Sequence, residues 1–131
     1  MNSQELAKKI RIHCLEMTNR AHSSHIGSCL SCADILAVLY NEILKPEDKF
    51  IMSKGHAAAA LYAVLAETGK IPLEQLDTFY QNGSLLSGHV SHKVPGVNVS
   101  TGSLGHGLSI GAGMALVSKK NNKKYKVYVL L

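Results

Sequence analysis

No unbroken apolar run of the ~18 residues that a membrane-crossing helix needs occurs in these 131 residues. By that measure there is no membrane span. The opening "MNSQELAKKIRIHC" mixes charged and apolar residues and lacks the apolar centre of a signal peptide. These two absences set the cytosol as the expected compartment. Cysteine is scarce. Cys14, Cys29 and Cys32 are an odd set, which excludes a disulfide framework and points to reduced, buried thiols. No internal repeat, low-complexity linker or domain boundary breaks the chain, so residues 1–131 read as a single domain. Acidic residues are missing from one place: five lysines and no acid lie between Lys119 and Lys126. Without those five, the 14 basic residues fall to nine, matching the nine acidic ones, so the net charge of +5 is local. The cluster "SKKNNKKYK" falls at the end of a candidate helix, where cations are favoured. It reads as a solvated loop rather than the spread basic stripe of a nucleic-acid binder.

What is present is enough apolar material for a core, 46% of residues. Leu6, Ile10, Cys14 and Met17 follow helical spacing and predict a helix over 3–20. "AHSSHIGSCLSC" is small and polar and reads as a loop. Ser31 with Asp34 resembles a capping box that opens a helix ending before Pro46. "KFIMS" reads as a short buried strand, and "GHAAAALYAVLAE" as a helix that Gly69 ends. Pro72 suits the start of another helix and Gly83 its end. "NGSLLSGHVSHKVPGVNVSTG" is a long loop. Residues 104–119 read as a helix, with Leu104, Leu108, Ala112 and Ala115 on one face. "YKVYVLL" is apolar on both faces, as a central parallel strand is. Strands alternating with helices predict an α/β fold with a parallel sheet and flanking helices. Two strands do not complete such a sheet, so the chain reads as the front part of a larger domain.

Three Gly-His pairs stand out: Gly55-His56, Gly88-His89 and Gly105-His106, with His25 close to Gly27. Glycine lets backbone come close to a ligand while the imidazole donates or accepts. In "FIMSKGHAAAA" a strand turns into a helix whose free first-turn amides favour anions. His56 there is a candidate for a phosphate oxygen. In "STGSLGHGLSIGAGMA", Gly102, Gly105 and Gly107 precede or open a helix. They leave the amides of Gly102, Ser103 and Leu104 free to meet a ring or a phosphate. A helix-packing element with no ligand is the alternative for that stretch. The order "GSLGHG" is not the dinucleotide pattern G-x-G-x-x-G. His22, His25, Cys29 and Cys32 have zinc-ligand chemistry. They crowd into eleven residues, and a fortuitous grouping is the preferred reading.

Four blocks, "AHSSHIGSCLSCADILAVLY", "DKFIMSKGHAAAALYAVLAE", "SGHVSHKVPGVNVSTGSLGHGLSIGAGMA" and "KVYVLL", together resemble the amino-terminal part of transketolase. The resemblance is strongest to enzymes of this family split into two chains. It implies a thiamine diphosphate-binding domain of the diphosphate type and transfer of a two-carbon ketol unit from a ketose phosphate to an aldose phosphate. His25 and His89 match histidines that act on substrate. His56, Gly102, Ser103 and Leu104 match cofactor contacts, and His106 stands where many relatives have glutamine. Ile26 and Val90 stand where many have proline.

The resemblance places the ligands for Mg2+ or Ca2+ beyond Leu131, so no metal ligand is assigned within the chain. The carboxylate that activates the cofactor is expected on a carboxy-terminal half or subunit, in a homodimer or two-chain assembly. The 131 residues alone are therefore expected to be inactive. The alternatives are part of a 1-deoxyxylulose-5-phosphate synthase-like enzyme, or a small zinc- or phosphate-binding module. Neither nucleic acid nor a membrane is an expected partner.

Overall fold

Asn2 starts the first helix by a reciprocal cap. Its side chain accepts from the Glu5 amide at 2.9 Å, and the Glu5 carboxylate accepts from the Asn2 amide at 3.1 Å. Helix α1 then runs Ser3–Arg20 and buries Leu6, Ile10, Cys14 and Met17, as their spacing predicts. The structure is a computed structural model and describes all 131 residues.

Helix α2 runs Ile26–Val38, so it starts within the stretch expected to be a loop and earlier than the Ser31–Asp34 cap. The small residues are the reason. Cys29, Cys32, Ala33, Leu36 and Ala37 recur at helical spacing and are buried. The polar residues between them find partners on the helix or its neighbour. The Ser31 hydroxyl donates back to the Ser28 carbonyl, and Asp34 pairs with Arg11 of α1. A π-turn over Leu39–Ile43 prolongs the rod. Its 18 residues Ile26–Ile43, with mean hydropathy 1.3, are long and apolar enough to cross a membrane by length and composition. One face of it, Cys29, Cys32, Ala33, Leu36 and Ala37, is buried against the rest of the chain, and the Arg11–Asp34 pair lies at its exposed side.

Strand β1, Lys49–Met52, leads through a 3-10 turn at Gly55–Ala57 into α3, Ala58–Glu67. Every residue of α3 from Ala58 to Ala66 is buried, which fits a helix apolar all round at the centre of the core. Gly69 ends it at φ 72°, with the amides of Gly69 and Lys70 reaching the carbonyls of Ala66 and Leu65. The helix expected between Pro72 and Gly83 is shorter, a 3-10 segment over Leu73–Thr78. Only Leu76 of that segment is buried, too little apolar surface to hold a longer helix.

A long loop, ordered by its own hydrogen bonds, reaches α4, His106–Lys120, and then β2, Val127–Leu130. The strands pair in parallel, with Lys49 opposite Val127 and Met52 opposite Leu130. Strand β2 is half-buried throughout and has only β1 as a neighbour, so the expected pairing on both edges is not made within these residues. Helix α4 lies on this sheet through glycine. A side chain at Gly107 would meet Ser53, and one at Gly111 would meet Val129. Leu108, Ala112 and Ala115 lie on the outward side of α4, whereas Leu104, expected on the same helical face, falls in the turn before the helix because Gly105 at φ 85° caps it.

Candidate functional site

Three segments meet just past the end of β1. His25 is the N-cap of α2 and holds a left-handed φ of 72°. His56 sits in the turn between β1 and α3, and His89 comes from the long loop. Their rings converge. The His25 centroid is 5.1 Å from that of His56 and 6.2 Å from that of His89. The loop is held there by cross-chain hydrogen bonds. The Val90 amide donates to the Gly55 carbonyl, and the Thr101 amide to the Val90 carbonyl, each at 3.1 Å. The Thr101 hydroxyl donates to the Met52 carbonyl. Tyr62, fully buried on α3, donates its hydroxyl to the His89 carbonyl at 3.0 Å.

The glycine of each Gly-His pair serves the protein's own packing or backbone turn. A side chain at Gly55 would collide with the Thr101 backbone, and one at Gly88 with the Tyr80 ring. Gly105 takes φ 85° as the N-cap of α4.

His56 Nε2 shares a hydrogen bond of 2.9 Å with the Ser28 hydroxyl. Lys54 Nζ donates to the Ser28 carbonyl at 2.9 Å and to the Ser31 hydroxyl at 3.0 Å. Lys54 thus ties the first turn of α2 to the end of β1. Burial pushes the His56 pKa below its ordinary value, and His25, Lys54 and His89 push the same way. His56 is therefore neutral at neutral pH. Sequence reasoning missed Ser28 because it placed that residue in a loop. Lys54, beside His56 in "SKGH", was within reach of it.

The three histidines line a cleft of about 310 Å³ with Thr18, Ser23, Cys29 and Tyr80 among its other walls. The Cys14 thiol lowers the pKa of Cys29, while Cys29 and burial raise that of Cys14. All three cysteines are free and buried, as expected. No group of three or more histidine, cysteine or acidic side chains is placed to hold a metal. The set His22, His25, Cys29 and Cys32 is divided, with the thiols in the core and the imidazoles at the surface.

Beside the cleft, Gly102, Ser103 and His106 line a hollow of about 230 Å³. A side chain at Gly102 would lie 3.7 Å from the His89 ring, so the hollow and the cleft adjoin. Leu104 is outside the hollow's lining and is 68% exposed. Neither lining contains an acidic side chain. Imidazoles, hydroxyls and a glycine-rich helix start are a donor set suited to an anionic, partly aromatic ligand.

The family described as transketolase, thiamine diphosphate-binding domain, matches residues 2–128. One of the subunits of the apulose-4-phosphate transketolase of Phocaeicola vulgatus is 45% identical over 134 residues, covering 95% of this chain and 48% of that protein. The 6-deoxy-6-sulfo-D-fructose transketolase subunit SqwG of a Clostridium species is 36% identical over 138 residues, covering 98% and 50%. The structure of Pichia stipitis transketolase with sedoheptulose 7-phosphate superposes with a TM-score of 0.89 at 31% identity, covering 98% of this chain and 22% of that one. The chain thus spans about half of such subunits (48% and 50%) and 22% of that transketolase.

Proposed function

The chain belongs to the transketolase thiamine diphosphate-binding domain family, and from that premise we propose that it supplies the diphosphate-binding part of a transketolase moving two-carbon ketol units between sugar phosphates. The observation that carries this reading is the convergence of His25, His56 and His89 beside the Gly102–Ser103 loop. Bound thiamine diphosphate supplies a carbon nucleophile for ketose carbonyls. The chain's own residues hold and serve it. His56, oriented by Ser28, and the loop at Gly102, Ser103 and Leu104 hold the cofactor, with His106 at the first turn of α4. His25 and His89 donate hydrogen bonds to oxygens that gain charge and pass protons to and from the sugar.

The cofactor's divalent metal, Mg2+ or Ca2+, takes its ligands from other sequence. The activating carboxylate also comes from a carboxy-terminal half or a partner chain. Relatives that are named as single subunits of their transketolases support such a partner.

The test is ketol transfer from a ketose phosphate to an aldose phosphate. It is run on the protein at its native length with the polypeptide encoded beside it, with and without thiamine diphosphate and Mg2+. Activity that requires all components, and none from the 131 residues alone, is the expected result. Cofactor-independent turnover, or no turnover with every component present, overturns the proposal.

A further inference from the structure

Four residues other than glycine adopt a left-handed backbone: His22 at φ 47°, His25 at 72°, Tyr80 at 62° and Asn122 at 50°. Three of them line the one cleft. Histidine and asparagine tolerate this conformation better than most residues, whereas for a bulky residue such as tyrosine it is a true outlier. Strain of this kind persists where the surroundings impose it, and it concentrates at functional sites.

Tyr80 is imposed from two sides. Its amide donates to the Leu86 carbonyl at 2.8 Å. Its ring fills the space a side chain at Gly88 would need, next to His89. Yet 59% of Tyr80 stays exposed, so this arrangement presents the ring rather than burying it. In the same cleft His22 is exposed, and the Ser23 hydroxyl is the single buried side-chain N or O atom in the chain without a hydrogen-bond partner. No lysine, arginine or acid lines this cleft. An aromatic face with hydroxyl and imidazole groups suits a polyhydroxylated carbon chain, whereas a phosphate calls for lysine or arginine.

We propose that the end of the cleft between Tyr80 and the His22–Ser23 turn is a specificity-determining subsite that reads the carbon chain and hydroxyls of the sugar beyond the atoms held at His25 and His89. The ring packs against the C–H face of the chain, while the exposed His22 imidazole takes one of its hydroxyls. The identity of the ligand rests on the sugar-transfer reading above.

The test uses the native-length protein with its partner and the variants Tyr80→Gly and Tyr80→Phe. Glycine at 80 removes the ring and suits the left-handed backbone, so this variant keeps the fold. One readout is the ratio of kcat/KM for a five-carbon aldose phosphate acceptor to that for glycolaldehyde, which has no chain to read. The other is the affinity for xylitol 5-phosphate, a non-reacting probe that needs no turnover.

In Tyr80→Gly both the ratio and the affinity are expected to fall by about tenfold, and in Tyr80→Phe by much less. An equal loss on both acceptors, leaving the ratio unchanged, shows a merely structural role and overturns the subsite. So does an unchanged affinity for xylitol 5-phosphate. If the wild type transfers no ketol unit but binds xylitol 5-phosphate, and Tyr80→Gly weakens that binding, the transfer reading fails and the subsite stands. A wild type that neither transfers nor binds overturns both.

Discussion

An alanine at position 107 would bring its Cβ within 2.5 Å of Ser53 Cβ, whereas one at position 113 meets nothing within 4 Å. The same substitution therefore has opposite signs six residues apart. Gly107→Ala is expected to destabilise by ~2 kcal/mol, because α4 must lift off the strand end. Gly113→Ala is expected to stabilise by ~0.5–1 kcal/mol, because alanine gives up less backbone freedom than glycine in a helix. Denaturant unfolding of both variants checks the pair, and equal signs would refute the packing account. The His56 environment sets a pH dependence. The folded state disfavours the charged ring, so the unfolded state binds more protons below the ordinary value of 6.5. Stability then falls as pH drops below that value, and His56→Asn should flatten the fall. An unchanged slope in the variant would place its source elsewhere. At this scale the sequence named the three histidines, but it read their glycines as making room for a ligand. Whether Gly55 faces a ligand or the Thr101 backbone depends on a contact 46 positions away, which no local pattern encodes.

Between elements, the tie that bears most is Glu67. Its side chain is 6% exposed at the end of α3 and receives Lys9 and His13 of α1, each at 2.8 Å. Burial pushes its pKa up, but the bonds to Lys9 and His13 outweigh this and hold it below its ordinary 4.5. This stability is present above that value and is lost as pH falls further, through the folded-state pKa. Glu67→Gln is expected to cost ~2 kcal/mol at neutral pH, because it weakens a largely buried, doubly bonded carboxylate. The cost should shrink in acid, and equilibrium unfolding at both pH values reads it. Helix α1, from its single strong period, and β1, from its short apolar run, were legible in the sequence. The start of α2 was not. Serine and cysteine look like loop residues until their neighbours on α1 and α3 are in place, and tertiary packing then overrides the local preference.

For the whole molecule, the outward face of α4 is the least finished surface. Leu116 is 67% exposed and Leu108 54%, Leu104 just before the helix is 68% exposed, and β2 has an unpaired edge. The 131-residue segment on its own is therefore expected to self-associate, and light scattering against concentration measures this. Leu108→Glu with Leu116→Glu should reduce it, and an unchanged association would assign it to another surface. The α/β class followed from strand–helix alternation, and the meeting of distant loops from the three Gly-His pairs. The cleft's walls at Thr18, Ser23 and Tyr80 did not, since their closeness exists only after α1 and the long loop fold together. That loop carries a further consequence. Residues 91–100 form an excursion whose two ends are joined at its base, where Thr101 bonds to Val90 and Val90 to Gly55. The histidine cluster is thus held by bonds across the chain rather than by the covalent path through the excursion. A single proteolytic nick among those residues would leave two pieces still clasped around an intact site, and the polypeptide could be divided there without dispersing its chemistry.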